Sequence, residues 1–249
     1  MSHYGQQPTA IEDEGSATMR EPATGAARAG LNIIMIGPPG AGKGTQSRAL
    51  AAQLKIPYVP TGDLFRNEIA AGTPVGLEAR RYMDRGDLVP DGTTIRMVLE
   101  RLRQPDCRTG VVLDGFPRSV AQAEALDAAW AAVGQAVSVV LHMKARADVV
   151  LTRMSNRWVC PKDGAVYNKI TKKPRLDNIC DLCSTALVQR PDETSETQRV
   201  RLEVYDRDTA PILRFYEQRG LTRTIDAERS MAEVSSALQG AIEQLQRAP

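Results

Sequence analysis

The feature that most constrains the fold is a glycine-rich loop between an apolar run and a helical pattern. The stretch 33-IIMIGPPGAGKGTQ-46 places Lys43 at the offset from Gly37 that a phosphate-binding P-loop requires. One position differs from the usual P-loop consensus. Gly44 follows the lysine where Ser or Thr is common, and the hydroxyl comes one residue later, at Thr45. The stretch is therefore a damaged P-loop, a chance glycine-rich turn, or a P-loop of a particular kind.

The local context favours a working P-loop over a chance turn. A strand, a tight turn and a helix in that order aim successive backbone N–H groups at phosphate oxygens, and the helix dipole adds to the attraction. Glycine at 37, 40, 42 and 44 permits backbone angles and a close approach that a Cβ would obstruct. Lys43 then supplies a point charge to the phosphates.

Strand and helix patterns alternate along the chain. We predict strands over 31–36, 57–59, 111–114, 137–143 and 221–226, and helices over 43–54, 121–132 and 230–246. This alternation indicates an α/β fold, a doubly wound parallel sheet with helices on both faces. Ligands of such sheets bind beyond the carboxyl ends of the strands, where the glycine-rich loop and Asp114 both lie. With the P-loop beside it, Asp114 is expected to hold Mg²⁺, directly or through water.

Composition and charge argue against several other classes of protein. The net charge of +2 is not typical of a dedicated nucleic-acid binder, and no apolar run approaches the roughly 20 residues that span a bilayer. Residues 1–29 are polar, lack a signal-peptide core and predict a flexible tail. Four cysteines without an export signal favour a cytoplasmic chain in which clustered Cys bind metal or do redox work, while Cys107 is expected to be unreactive.

Three motifs together resemble those of a known family. The loop GPPGAGKGTQ is similar to the GxPGxGKGT of adenylate kinases and related nucleoside-monophosphate kinases, 61-TGDLFR-66 to their TGDxxR, and 114-DGFPRS-119 to their DGFPRT. The order and separation of the motifs match, and the resemblance continues through 80-RRYMDRGDLVPD-91 to about residue 246. It implies an intact, specialised P-loop and the reaction Mg·ATP + AMP ⇌ 2 ADP. Pro60 is a departure, since the family usually carries Ser or Ala there.

The resemblance also implies a division of the chain. A core P-loop domain of three layers comprises 30–60, 91–152 and 202–249, a small helical segment that binds the acceptor monophosphate comprises 61–90, and an inserted lid comprises 153–201. The lid and the small segment are expected to close over the substrates, since water could otherwise accept the phosphoryl group.

The family's site residues carry over to matching positions. The implied catalytic residues are Lys43, Asp114, Arg118, Arg157, Arg190 and Arg201. The implied ATP-binding residues are Gly40, Ala41, Gly42, Lys43, Gly44, Thr45, Arg153 and Arg157, with Arg153 packing on the adenine. The implied AMP-binding residues are Thr61, Arg66, Val89, Gly115, Arg118, Gln122, Arg190 and Arg201, with Gln122 hydrogen-bonding the adenine. Asp192 resembles a lid acid that orients the arginines. No general base is expected, because the acceptor is already a phosphate dianion.

The lid carries a spaced set of metal-ligand residues. Cys160 and Asp163 are followed, after a long loop, by Cys180 and Cys183, which resembles the zinc-bearing lid of many bacterial adenylate kinases. Three thiolates and a carboxylate have the charge of four thiolates, and a carboxylate can complete tetrahedral zinc. We therefore predict a structural Zn²⁺; the alternative is a metal-free lid in which these Cys and Asp residues are relics or hydrogen-bonding partners.

Two other functions are weighed against this one. A kinase for CMP or UMP is disfavoured by Gln122 and by the long lid. A zinc-ribbon module that binds nucleic acid would need a basic stripe with interleaved aromatics, but Trp158 and Tyr167 are the lid's only aromatic residues. The expected partners are ATP, AMP and ADP, with no nucleic acid and no membrane, and the expected state is a cytoplasmic monomer.

Overall fold

A computed structural model describes residues 30–190 and 194–247 of the chain. The predicted tail, residues 1–29, and the predicted lid acid Asp192 lie outside the described residues.

The strands form one parallel sheet and one small hairpin. In chain order they are β1 Leu31–Ile36, β2 Tyr58–Pro60, β3 Gly110–Asp114, β4 Val139–Lys144, β5 Arg157–Val159, β6 Val166–Asn168 and β7 Thr222–Asp226. The parallel sheet has the order β2-β3-β1-β4-β7, while β5 and β6 pair antiparallel in the inserted segment. The predicted doubly wound sheet is confirmed, and every predicted strand lies close to its expected position.

Helices join the strands. They are α1 Lys43–Leu54, α2 Thr61–Ala70, α3 Pro74–Met83, α4 Asp91–Leu102, α5 Val120–Ala131, α6 Ala147–Ser155, α7 Ser195–Val204, α8 Pro211–Glu217 and α9 Met231–Arg247. The three predicted helices, α1, α5 and α9, are confirmed. The predictions did not include the helices α4, α6, α7 and α8.

The sheet is buried on both faces. Residues of β1 point alternately to the two sides, so that Ile33 and Met35 pack in one cluster with residues of α1 and α9, whereas Ile34 and Ile36 pack in another with residues of α4, α5 and α8. All four side chains are at most 2% exposed. Coverage of both faces by helices gives the three layers of an α/β fold.

The segments outside this sheet have small cores of their own. Phe65, Ala79 and Val89 form one cluster where α2 packs on α3, and Cys160, Tyr167, Cys180 and Leu187 form another around the β5–β6 hairpin. The division of the chain into core, small segment and lid stays a prediction.

The departure at Pro60 has a structural reason. Pro60 ends β2, which is the edge strand of the sheet, and it immediately precedes α2. An edge strand tolerates a residue without an N–H, because one side of the strand has no sheet partner. The proline therefore fits the start of the TGD motif without breaking the sheet.

Candidate active site

A cavity of about 1080 Å³ lies beyond the carboxyl ends of β1, β2 and β3. Its walls come from the glycine-rich loop, from α2, from the segment that joins β3 to α5, and from the inserted hairpin. All of the nucleotide-binding residues predicted from the sequence line it: Gly40, Ala41, Gly42, Lys43, Gly44, Thr45, Thr61, Arg66, Val89, Asp114, Gly115, Arg118, Gln122, Arg153, Arg157, Arg190 and Arg201.

The loop between β1 and α1 depends on glycine at two positions. Gly40 and Gly42 have φ of +85° and +93°, which residues with a Cβ rarely adopt. A Cβ on Gly40 would also lie 2.6 Å from the carbonyl oxygen of Val150. No side chain caps the start of α1, so its first N–H groups remain available to a ligand in the cavity.

Lys43 begins α1 and folds back over the loop. Its Nζ donates to the carbonyl oxygens of Gly37 (2.7 Å) and Pro38 (2.9 Å). Burial lowers the pKa of Lys43 from 10.5 to about 8; the Asp114 carboxylate acts in the opposite direction, while Arg118 and Arg157 lower it further. An ammonium destabilised in this way gains more than an exposed one from an anionic ligand, since a phosphate restores the charged form.

This shift predicts a proton uptake on nucleotide binding. At pH 8.5, a Lys43 with a pKa near 8 is largely neutral, and an ATP that raises this pKa well above 9 should draw in about 0.7 proton per site. Calorimetric titration of Mg·ATP in two buffers of different ionisation enthalpy measures that number. The uptake should vanish in Lys43→Ala at saturating nucleotide and persist in Lys144→Ala, which removes an exposed lysine. Equal uptake in all three proteins would contradict the assignment.

The unusual Gly44 faces an acid. A Cβ at this position would lie 3.2 Å from the Tyr58 hydroxyl and 3.4 Å from Asp114 Oδ2, and Tyr58 donates to that same oxygen (3.0 Å). A Ser or Thr at 44 would crowd this hydrogen bond, whereas glycine leaves it intact. The sequence reading missed Tyr58, although its place on β2 beside β3 is a signal that could have found it.

Arginines converge on the cavity from separate elements. On the side of α2, Arg66 pairs with Asp63 through Nε (3.0 Å), and Arg118 Nε donates to the Gly115 carbonyl (2.8 Å). Burial lowers the pKa of Arg118, and the nearby Arg201 and Arg66 lower it further, against the opposite effect of Asp114. Positive groups held close together in this way favour an anionic ligand.

The inserted segment adds further arginines. Arg153 Nη1 donates to the Ala227 carbonyl (2.7 Å), which holds the guanidinium at the loop before α9. Arg190 Nη2 lies 3.7 Å from the Asp63 carboxylate of α2, so the end of the inserted segment reaches across to the small helical segment. Arg157 and Arg201 also line the cavity.

Gln122 is a buried residue, with 1% of its surface exposed. Its Oε1 accepts from the backbone N–H of Arg118 (2.7 Å), and its Nε2 donates to Asp91 Oδ1 (2.7 Å). Gln122 is therefore not an exposed glutamine on a helix surface, and both ends of its amide are held. The sequence reading missed Asp91, which lies far from Gln122 along the chain.

Four side chains of the inserted segment form a candidate metal centre. The ligand atoms of Cys160, Asp163, Cys180 and Cys183 all lie within 4.8 Å of one another. Cys160 Sγ lies 3.4 Å from Cys183 Sγ, and Cys180 Sγ lies 3.1 Å from Asp163 Oδ2. Tetrahedral zinc with Zn–S bonds near 2.3 Å places its sulfurs about 3.8 Å apart, so the set is compact enough for one such ion.

Comparison with known proteins identifies the family. The family model described as adenylate kinase matches residues 35–221. The chain belongs to the adenylate kinase family. It is 46% identical over 208 residues to the adenylate kinase of Moorella thermoacetica, covering 84% of this chain and 96% of that protein. It is 44% identical over 204 residues to those of Clostridium beijerinckii and a Geobacillus species, covering 82% of this chain and 94% of each relative.

The family resemblance predicted from the three motifs is thus confirmed, and the chain is an enzyme of the phosphotransferase class. Cys107, which the sequence predicts to be unreactive, and His142 both lie outside the cavity walls that the structure describes. Cys107 is buried, which raises the pKa of its thiol to about 11, and His142 is half-buried beside Thr224. Among residues 30–190 and 194–247, the helices are too short or too polar to cross a membrane.

Proposed function

We propose that the protein transfers the terminal phosphoryl group of Mg-ATP to AMP, reversibly, giving two ADP. The observation that supports this most strongly is that one cavity is lined by a P-loop lysine and by arginines from the core, the small helical segment and the inserted segment. Two nucleotides bring several like-charged phosphates together, and their transfer needs fixed cations in a site that excludes water.

The ATP side is the end of the cavity next to α1. The loop N–H groups and Lys43 bind the β- and γ-phosphates of ATP. Arg153, which Ala227 holds in place, packs on the adenine, and Arg157 reaches the phosphates. The proposed ATP-binding set is Gly40, Ala41, Gly42, Lys43, Gly44, Thr45, Arg153 and Arg157.

The AMP side is the end of the cavity next to α2 and the start of α5. Arg66 and Arg118 grip the acceptor phosphate, since a guanidinium can bond two phosphate oxygens at once. Gln122 hydrogen-bonds the adenine. The proposed AMP-binding set is Thr61, Arg66, Val89, Gly115, Arg118, Gln122, Arg190 and Arg201.

Catalysis then rests on position and charge. The acceptor oxygen of AMP attacks the γ-phosphorus of ATP in line, the bond to the β–γ bridging oxygen breaks, and that electron pair stays on the ADP that leaves. Lys43, Arg118, Arg157, Arg190 and Arg201 stabilise the charge of the transferring group. No proton has to be removed from the acceptor, so none of these residues acts as a base.

The side chains of Asp114 and Thr45 are suitable ligands for a magnesium ion. The Asp114 carboxylate and the Thr45 hydroxyl are hard oxygen ligands that line the same cavity, and Tyr58 fixes the carboxylate by a hydrogen bond. Bound with ATP, Mg²⁺ neutralises phosphate charge. Asp114 would hold it directly or through water.

The inserted segment acts as a lid that a structural Zn²⁺ holds together. Three thiolates and one carboxylate within 4.8 Å suit zinc, and the lid cluster of Cys160, Tyr167, Cys180 and Leu187 is too small to stabilise a fold alone. We further propose that lid 153–201 and segment 61–90 close over core 30–60, 91–152 and 202–249. The approach of Arg190 to Asp63 supports such closure.

In the cell, this reaction would serve adenine nucleotide homeostasis and purine nucleotide salvage. We place the protein in the cytoplasm as a monomer, with neither nucleic acid nor membrane as a partner. The net charge of +2 and the unpaired cysteines support that placement.

The test supplies AMP, CMP, UMP and GMP separately with Mg-ATP and measures ADP formation. We expect AMP to be preferred by about 100-fold or more in kcat/KM, because a buried amide that is mispaired with the base costs several kcal/mol. Preference for CMP or UMP would leave the proposed mechanism intact but contradict the identification of AMP as the acceptor. No turnover with any acceptor would overturn the proposed function.

A further inference from the structure

The starting observation is a closed hydrogen-bond network beneath the AMP side of the cavity. Asp91, at the start of α4, accepts from Ser119 Oγ through Oδ2 (2.7 Å) and from Gln122 Nε2 through Oδ1 (2.7 Å). Ser119 Oγ in turn accepts from the backbone N–H of Gln122 (3.2 Å) and so caps α5. Asp91 itself is not among the cavity-lining residues that the structure describes, whereas Gln122 is.

The network fixes which way the Gln122 amide faces. The Arg118 backbone N–H can only donate and the Asp91 carboxylate can only accept, so the amide oxygen must face Arg118 and the amide nitrogen must face Asp91. A flipped amide would set N–H against N–H and oxygen against a carboxylate. The Ser119 proton does not relieve that conflict, because it already bonds the other oxygen of Asp91.

The fixed amide has consequences for the base it meets. After these bonds, Gln122 retains one N–H and one oxygen lone pair, in a set order, for a ligand in the cavity. A 6-aminopurine offers an acceptor at N1 and a donor at N6, which can pair with both. A 6-oxopurine offers a donor at N1 and an acceptor at O6, which pairs only with the flipped amide.

We propose that Asp91, supported by Ser119, is the positioning residue that makes the acceptor site select a 6-aminopurine over a 6-oxopurine. It does so without touching the nucleotide, by excluding the amide orientation that a 6-oxopurine needs. The inference rests on the proposed function, in which Gln122 meets the acceptor base.

The test compares AMP with IMP, which differ only at N1 and C6. The variant Asp91→Asn can donate as well as accept, so it removes the conflict of the flipped Gln122 amide with residue 91 and leaves only the one with the Arg118 N–H. We expect the ratio of kcat/KM for AMP to that for IMP to fall about tenfold or more, mainly through KM, while kcat with AMP changes by less than about threefold. The ratio is measured on one sample, so it does not depend on the folded fraction.

Two further variants make the result decisive. Ser119→Ala leaves Asp91 with one partner fewer and should move the ratio in the same direction by a smaller factor. Gly92→Ala is the matched control, because a Cβ there meets open space beside Asp91, and it should leave the ratio unchanged. An unchanged ratio in both Asp91→Asn and Ser119→Ala, or an equal loss with both acceptors, would overturn the inference. Absence of AMP turnover in the wild-type protein would instead overturn the proposed function.

Discussion

Replacing Lys43 by alanine should lower kcat for ADP formation about 1000-fold, because it removes a half-buried positive charge that we propose stabilises the transferring phosphoryl group. The structure supports so large an effect, since Lys43 lies in the cavity wall and burial lowers its pKa to about 8. The fold therefore holds the Lys43 ammonium at a free-energy cost of desolvation, which an anionic ligand offsets. Steady-state rates at saturating Mg-ATP and AMP measure the change.

The same substitution should not weaken the unliganded fold. The pKa of Lys43 is lower in the folded protein, about 8, than the ordinary 10.5, so the unfolded chain binds more protons between those values and stability rises with pH across them. Below pH 8, Lys43 is charged in both the folded and the unfolded chain, so the fold bears the full free-energy cost of burying its ammonium. Lys43→Ala removes that cost and should melt at the same temperature as wild type or higher. The control Lys144→Ala should keep both rate and melting temperature. A rate loss below about tenfold would contradict the role of Lys43.

Replacing Cys180 by serine should abolish zinc binding and lower the melting temperature by about 10 °C. Cys180 is 1% exposed and belongs both to the lid cluster and to the four-residue metal set. Structural zinc contributes folding energy directly, and in a chain of this size each kcal/mol shifts the melting temperature by about 2–4 °C. Elemental analysis of the metal content and calorimetric unfolding test both parts of the prediction.

Cys107→Ser is the matched control, since Cys107 is also buried, with 4% of its surface exposed, but lies outside the metal set. It should retain about one zinc per chain, the content of a single four-ligand site. Chelation of the wild-type protein should reproduce the low melting temperature of Cys180→Ser. The zinc assignment would be contradicted if wild-type protein prepared with zinc held none and had the same melting temperature as Cys180→Ser. The lid would then be metal-free.

Local patterns account for the parts of the fold that the sequence predicted. The P-loop is recognisable because Gly37, Lys43 and the apolar run before them are neighbours in the chain. A parallel sheet buried on both faces produces continuous apolar runs such as IIMI at residues 33–36. Helices such as α4 and α7 were missed, although their apolar residues follow a helical period at least as clearly as those of the predicted helices α1 and α5.

The contacts that complete the candidate site are of another kind. Tyr58 reaches Asp114, and Asp91 reaches Gln122, only because β2 lies next to β3 and α4 packs beside α5. Such pairs are far apart in the chain and follow no period, so a single sequence does not reveal them. The motifs located the loop and its arginines, whereas the tertiary fold determines how Gln122 faces.

The most direct test of the central claim is the stoichiometry of the reaction. Wild-type protein is incubated with Mg-ATP, with and without AMP, and ATP, ADP and inorganic phosphate are counted by phosphorus NMR. Direct transfer predicts two ADP for each ATP consumed, no inorganic phosphate, and no reaction without AMP. One ADP and one phosphate per ATP, with or without AMP, would mean that water is the acceptor and would contradict the account.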